Sequence, residues 1–447
     1  MKKLFFFLAA FALLASPAFS DQFIRCLTDE YLEHKKEENP AFRQAFDQTY
    51  DYIYDLASTQ RDMTDSVIYR VPVVVHVVYN TPEENIHDSL IHNQIEVLNE
   101  DFRRRNADTS MTREIFKPYA GDAGIEFFLA ETDPNGNPTD GITRTQTSVE
   151  TFFNFLDFEA IDNVKLDVEG GKDAWPTDQY MNLWVCNLSL SFGGNQMPAV
   201  LGFAYPPVGA PNWPADVFPN DPNLEGVVVH YQVFGRNNPE AVGPLEVVNR
   251  GRTTTHEVGH YLGLRHIWGD GGGFGGGDGC DVDDGIDDTP NSASSSDQSC
   301  DYTKNTCVIS PVNYPDMIEN FMDYSDENCM NMFTKGQIAV MRMALSELRP
   351  GLAEVDENVS FIAEQNTNTL NLYPNPANTN VYISFEQFTT INKIMISDIK
   401  GREIKQKAFH NQDYKTLSIN VEDLKTGMYI ISVQTGDKLL SSRVMIQ

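Results

Sequence analysis

The stretch HEVGHYLGLRH, residues 256–266, carries three of the chain's 9 histidines and one glutamate within eleven positions. His256 and His260, four residues apart, project from one face of an α-helix, one turn above the other. Neutral imidazole is a common zinc ligand, and a catalytic zinc takes three protein ligands and keeps one position for water. Gly263 can adopt the left-handed backbone that ends a helix, so that the chain turns back and His266 comes round as the third ligand. Glu257 lies on an adjacent helix face, placed to receive a proton from the activated water rather than to bind the ion. A bare H-E-x-x-H also fits an ordinary amphipathic helix with a surface carboxylate. The full H-E-x-x-H-x-x-G-x-x-H has five fixed positions and arises by chance in on the order of one in ten thousand chains of this length, which sets that reading aside.

The same motif is the signature of the metzincin metalloproteases, and this stretch resembles theirs at every fixed position. That family sets a methionine in a tight turn beneath the zinc. ENFMDYSDENCM, residues 319–330, offers Met322 followed by Asp323 and Tyr324. Together the two segments resemble the pappalysin branch, peptidase family M43, with its ulilysin-like members, over roughly residues 61–348. The resemblance implies zinc on His256, His260 and His266, Glu257 as general base, Met322 beneath the metal without chemistry of its own, and Tyr324 as donor to the developing oxyanion. Family members place an acidic side chain two residues before the cysteine of this turn. Here that is Glu327, before Cys329, which implies cleavage before Arg and less readily before Lys. Calcium is implied on Asp284, Thr289 and the carbonyl of Ile286. Asp281, Asp283 and Gly285 do not have EF-hand spacing.

Latency follows from the same resemblance. Arg25-Cys26-Leu27-Thr28 matches a stretch of ulilysin-like zymogens, and a thiolate there can fill zinc's open position. Two alternatives stay open: Cys26 pairs with Cys186, or Asp29 is the blocking group. The expected maturation cut lies between Gln60 and Arg61, with Leu348–Arg349 as a second candidate.

Composition bounds the partners. A formal charge of −31 argues against nucleic acid, which needs a basic surface. Residues 1–20, MKKLFFFLAAFALLASPAFS, read as a secretory signal, and no later apolar run reaches membrane-spanning length. Export through the periplasm to the medium or cell surface permits disulfides. Of the 6 cysteines, Cys280, Cys300, Cys307 and Cys329 cluster in an irregular region. Sequence alone leaves three pairings open. The family resemblance pairs Cys280 with Cys307 and Cys300 with Cys329, and Cys186 reads as a buried free thiol in an apolar strand.

These residues need a scaffold. Residues 21–60 are polar and rich in helix formers, and read as a helical pro-segment. Strands are expected at 70–81, 125–131, 179–188, 199–207 and 226–235, with a helical pattern at 92–104. Mixed strands and helices suit an α/β (α+β) catalytic domain over 61–348, in which a twisted mixed sheet covers the zinc helix and its edge strand holds substrate extended. A polar linker follows at 349–369. From 370 to 447 apolar and polar residues alternate at period two, as in a small all-β sandwich. With Tyr373-Pro374-Asn375-Pro376, Gly401, Leu424, Gly427 and Tyr429, it resembles the sorting domain read by type IX secretion machinery. The leading expectation is a secreted zinc endopeptidase acting on proteins or peptides. A surface adhesion protein with a protease-like fold and a zinc amidase with a non-protein substrate are the competing readings.

Overall fold

The computed structural model describes residues 23–59, 67–192, 195–207, 222–269, 279–308, 313–356, 371–373, 377–398, 402–425, 427–435 and 438–446. The signal segment, the Gln60–Arg61 bond, the Gly-rich run at 270–278, Pro374-Asn375-Pro376 and Gly401 lie outside the described residues. The chain divides into two units, Met1–Val359 and Ser360–Gln447.

The first unit opens with two helices, α1 (Thr28–Glu38) and α2 (Pro40–Thr59). Asn39 separates them. Its side-chain oxygen accepts from the backbone N–H groups of Ala41 and Phe42, and Pro40 occupies the first helical position, where no N–H is missed. Phe42, Phe46, Tyr50, Ile53 and Ala57 recur at helical spacing along α2 and are buried.

Strand β1 (Ile68–Tyr79) is the axis of a seven-stranded sheet. Its valine-rich run is buried on both faces, as a central parallel strand requires. Along one edge it pairs in parallel first with β2 (Ile125–Leu129), then with β3 (Ile142–Gln146). On the other edge β4 (Met181–Cys186) is parallel to Val73–Val77. Pro72 falls just short of that ladder, so its missing N–H costs no sheet bond. Helix α3 (Asp88–Phe102) packs on β2 with Ile91, Ile95, Leu98 and Phe102 inward.

A two-stranded ribbon, β5 (Ser189–Phe192) and β6 (Asn195–Pro198), precedes the edge strand β7 (Gly202–Ala204). β7 is antiparallel to β8 (Val227–His230), which is parallel to β4. Helix α4 (Arg252–Tyr261) lies under β7 and β8, and α5 (Lys335–Met343) closes the unit with a Thr334/Gln337 capping box. The linker drawn from residue 349 is corrected here. Arg349 is buried, its guanidinium carbon 3.8 Å from the Tyr261 ring centroid and its Nη2 3.6 Å from Glu225. Residues 354–356 form β9, antiparallel to Ile68–Arg70 of β1. Buried charge pairing and a strand hydrogen-bonded to the sheet place residues 349–356 in the first unit.

The second unit is all β. Strands β10 (Asn371–Tyr373), β11 (Asn380–Asp398), β12 (Glu403–Asn420), β13 (Gly427–Thr435) and β14 (Lys438–Ile446) form one antiparallel sheet. The β11–β12 ladder shifts register at three places. Such bulges bend long strands. Val381 and Ile383 from one half of β11 share a core with Ile394, Ile396 and Ile431, so the sheet folds over on itself.

Candidate metal centre

Helix α4 has poor local propensity: three threonines and a glycine in ten residues. Burial compensates, since every residue of it is buried. It ends at Gly263, whose φ of +91° is the left-handed conformation that sends the chain back over the helix. That reversal delivers His266. The Nε2 atoms of His256, His260 and His266 lie 3.1–3.2 Å from one another. The opposite nitrogens are engaged: His256 Nδ1 with the carbonyl of Phe321 at 2.7 Å, His260 Nδ1 with that of Leu264 at 2.8 Å, and His266 Nδ1 with Asp29 Oδ2 at 2.6 Å. Each Nδ1 facing an acceptor carries the ring proton, which leaves three bare Nε2 lone pairs converging on one point. Burial, foremost, and the neighbouring imidazoles hold His256 and His260 well below the ordinary histidine range, so the rings stay neutral. Convergent neutral lone pairs with oriented outer partners fit a zinc ion.

Cys26 completes the set, its Sγ within 4.8 Å of the three ligand nitrogens. Cys26 and Cys186 are both free and buried, so the two do not pair. Asp29 sits behind His266 rather than in front of it. The Glu257 carboxyl is fully buried, and burial pushes its pKa well above the usual carboxylate range. Its Oε2 accepts from Cys26 Sγ and Thr28 Oγ1, both at 3.4 Å, while Oε1 has no hydrogen-bond partner.

Two glycines make room for this arrangement. A Cβ on Gly202 of the edge strand would fall 2.4 Å from Glu257 Oε1. One on Gly259 would fall 2.4 Å from Met322 Sδ, so the methionine packs directly beneath the helix. The Tyr324 ring stands 5.5 Å from His256 and 4.9 Å from His266, and Trp268 stacks on His266 at 4.5 Å.

The N-terminal segment runs parallel to the sheet edge. Ile24 bridges Val200, and Leu27 N donates to the carbonyl of Gly202. Arg25 reaches the buried Glu327: Nη2 is 3.3 Å from Oε1, and Nη1 donates to the carbonyl of Ser325 at 2.6 Å. Thr253 Oγ1 and Arg250 N also donate to that carboxylate.

Similarity searches agree with this geometry. A family model described as pregnancy-associated plasma protein-A matches residues 243–346, and one described as a secretion system C-terminal sorting domain matches 371–447. An extracellular metalloprotease of Arthroderma otae is 31% identical over 221 residues, 44% of this chain and 71% of that relative. The chain belongs to the pappalysin-like metallopeptidases, peptidase family M43. Mature mirolysin of Tannerella forsythia, solved with a cleaved peptide, is 44% identical with a TM-score of 0.54, covering 64% of this chain and 96% of that one. A promirolysin mutant from the same organism is 40% identical with a TM-score of 0.56, covering 73% and 96%. In the first curated relatives, extracellular metalloproteases of Arthroderma benhamiae and Trichophyton verrucosum, the match spans 39% of their length.

The M43 frame also locates the remaining expected residues. Cys280–Cys307 and Cys300–Cys329 are bonded, closing separations of 27 and 29 residues. Such loops are worth about 3 kcal/mol each. Asp284 is buried; its Oδ1 accepts from Ile286 N and from Thr289 Oγ1, while Oδ2 has no partner. Burial pushes this carboxyl well up. An orphaned buried oxygen beside further aspartates, among hard oxygen donors, fits calcium. The sequence carries no sign of the places of Gly202, Gly259 and Trp268, or of the contacts that Asp29 makes with His266 and Arg25 with Glu327.

Proposed function

We propose that this chain is the latent precursor of a secreted zinc endopeptidase that cuts peptide bonds before arginine, and less readily before lysine. The observation that carries the reading is the convergence of three bare Nε2 atoms beside a buried, half-unpartnered Glu257, under the sheet edge along which residues 24–27 lie. His256, His260 and His266 would hold the zinc, and in the precursor the Cys26 thiolate would fill its fourth position. Zinc, when bound, acidifies water and polarises the scissile carbonyl. Glu257 takes the proton of the attacking water and returns it to the leaving nitrogen as the C–N bond breaks. The Tyr324 phenol hydrogen-bonds to the carbonyl oxygen as charge develops there.

Arg25 in the slot of Glu327 supports the basic preference, because a guanidinium already fits that carboxylate. Maturation at Gln60–Arg61 follows from the same preference. The second candidate cut, Leu348–Arg349, is withdrawn, since both residues are buried. Calcium on Asp284, Thr289 and the Ile286 carbonyl would rigidify the disulfide-bonded region. The C-terminal unit would hand the protein to type IX secretion machinery for release or surface display. An adhesion protein has no use for a complete ligand set with its base. Digestion of casein with and without a chelator tests the activity, and cleavage-site profiling in a proteome-derived peptide library tests the specificity. No chelator-sensitive cleavage, or an apolar preference after the scissile bond, overturns the reading.

A further inference from the structure

Beyond the edge strand, on the face of the sheet away from the zinc helix, the side chain of Tyr31 fills a slot. Tyr31 is fully buried there. Its ring packs against Phe203, 4.8 Å between centroids, and edge-on to Tyr205 at 5.8 Å. Its hydroxyl donates to Asp162 Oδ2 at 2.7 Å. Tyr205 donates to the same oxygen at 2.7 Å, and Lys165 Nζ holds Oδ1 at 2.9 Å. Lys165 is itself buried and lies 3.9 Å from the Tyr205 ring centroid. The receiving side of the slot, Asp162, Lys165, Phe203 and Tyr205, thus belongs to the catalytic domain and is braced without Tyr31.

The slot also has a defined place along the cleft. Pro-segment residues meet the edge in order: Ile24 at Val200, Leu27 at Gly202, Thr28 at Ala204, Tyr31 at Phe203 and Tyr205. Arg25, which pairs with Glu327, precedes Cys26 at the metal centre, and Tyr31 follows it. We infer that the mature enzyme uses this slot as a second specificity site that takes a tyrosine of the substrate on the N-terminal side of the scissile bond. The inference rests on the reading above, in which the residue after the scissile bond enters the slot of Glu327. A substrate on that register passes the metal centre and meets Asp162 from the other side. Phe203 and Tyr205 accept any flat ring. The Asp162 oxygen, left with one donor fewer, selects a phenol over a phenyl group.

The test uses mature wild-type enzyme and quenched-fluorescent peptides with one fixed arginine after the scissile bond. Tyr or Phe is scanned through the second to fifth positions before that bond. At one position kcat/KM for Tyr should exceed that for Phe by about tenfold or more, the weight of a hydrogen bond to a charged acceptor. In Asp162→Asn the Tyr-to-Phe ratio at that position should fall toward one, and in Tyr205→Phe, which takes a second donor from the same oxygen, it should rise. A ratio taken within one enzyme is insensitive to partial misfolding. Cleavage before arginine with equal Tyr and Phe rates at every position overturns this inference alone. A ratio unchanged in both variants overturns the assignment to this slot. Failure to cut any of the peptides overturns the protease reading as well.

Discussion

Arg25 and Glu327, separated by 302 residues in the chain, form a buried ion pair with Nη2 and Oε1 3.3 Å apart. One contact therefore joins the pro-segment to the residue proposed to set specificity. Glu327→Gln should act on both. Losing one member of a buried charged pair costs several kcal/mol, so kcat/KM for arginine peptides should fall by about a hundredfold or more. The Arg-over-Lys preference should disappear with it, read by library profiling of wild type and variant. The variant precursor should also leak activity. An intact arginine preference in Glu327→Gln would sink the pocket assignment.

Cys26→Ala in the precursor should raise its activity at least about tenfold, since the thiol is the group of the pro-segment that faces all three imidazoles. Metal content should stay the same, because the histidine set is untouched. Hydrolysis of a fluorogenic peptide by the uncut precursor measures this. A precursor that stays fully latent assigns latency to the remaining pro-segment contacts instead.

Glu257→Ala should keep one zinc per chain and lose activity by about ten-thousandfold, the scale of a lost general base. Metal analysis of the purified variant separates chemistry from binding. Loss of zinc together with activity would contradict the role given to Glu257.

Calcium titrated at constant zinc should raise the melting temperature by a few degrees, because a ligand of the folded state alone stabilises it by mass action. Asp284→Asn should abolish the shift. Identical melting curves at every calcium level would leave the region as a solvated acidic loop.

His76 and His230 are both held down to about 4, chiefly by burial. The sign follows from linkage. The folded pKa is depressed, so unfolding takes up protons, and the stabilising contribution is complete above about pH 6.5 and lost as pH falls toward 4. Each group is worth on the order of 3 kcal/mol across that window. Urea midpoints of a Glu257→Ala precursor, measured from pH 7.5 to 4.5, should decline, and less so when His230→Gln is added. Equal slopes with and without that change would refute the assignment.

The convergence of the three histidines was legible because its information is local. His256, Glu257 and His260 need only a helical period, and Gly263 announces the reversal that brings in His266. Met322 was legible by resemblance, but its seat under Gly259 was not, because that depends on how two distant segments pack. The sheet was legible where Val73–Val78 form a β-branched run interrupted only by His76, whereas the end of the first unit was misplaced. RPGLAEVDEN looks like a linker by composition, yet Arg349 is buried against Tyr261 and Glu225, and Val355 pairs across to Tyr69. Polar composition tracks solvent exposure only on average, and a paired buried arginine is the exception. Asp162 went unnoticed for a related reason: nothing at 162 points to residue 31.

The N-terminal segment, read above as a pro-segment, contributes Ile53 and Ala57 to the main core, and Leu27 and Tyr31 to the core on the far face of the sheet. It is built in as an element of the fold as well as laid over the cleft. Severing one peptide bond between α2 and β1 therefore frees an end without emptying the cleft. Departure is a separate event, in which side chains leave two interiors, and its rate depends on packing rather than on the protease that made the cut. Under the proposed reading, activation by such a cut would carry a built-in delay, set by the depth at which those side chains are seated.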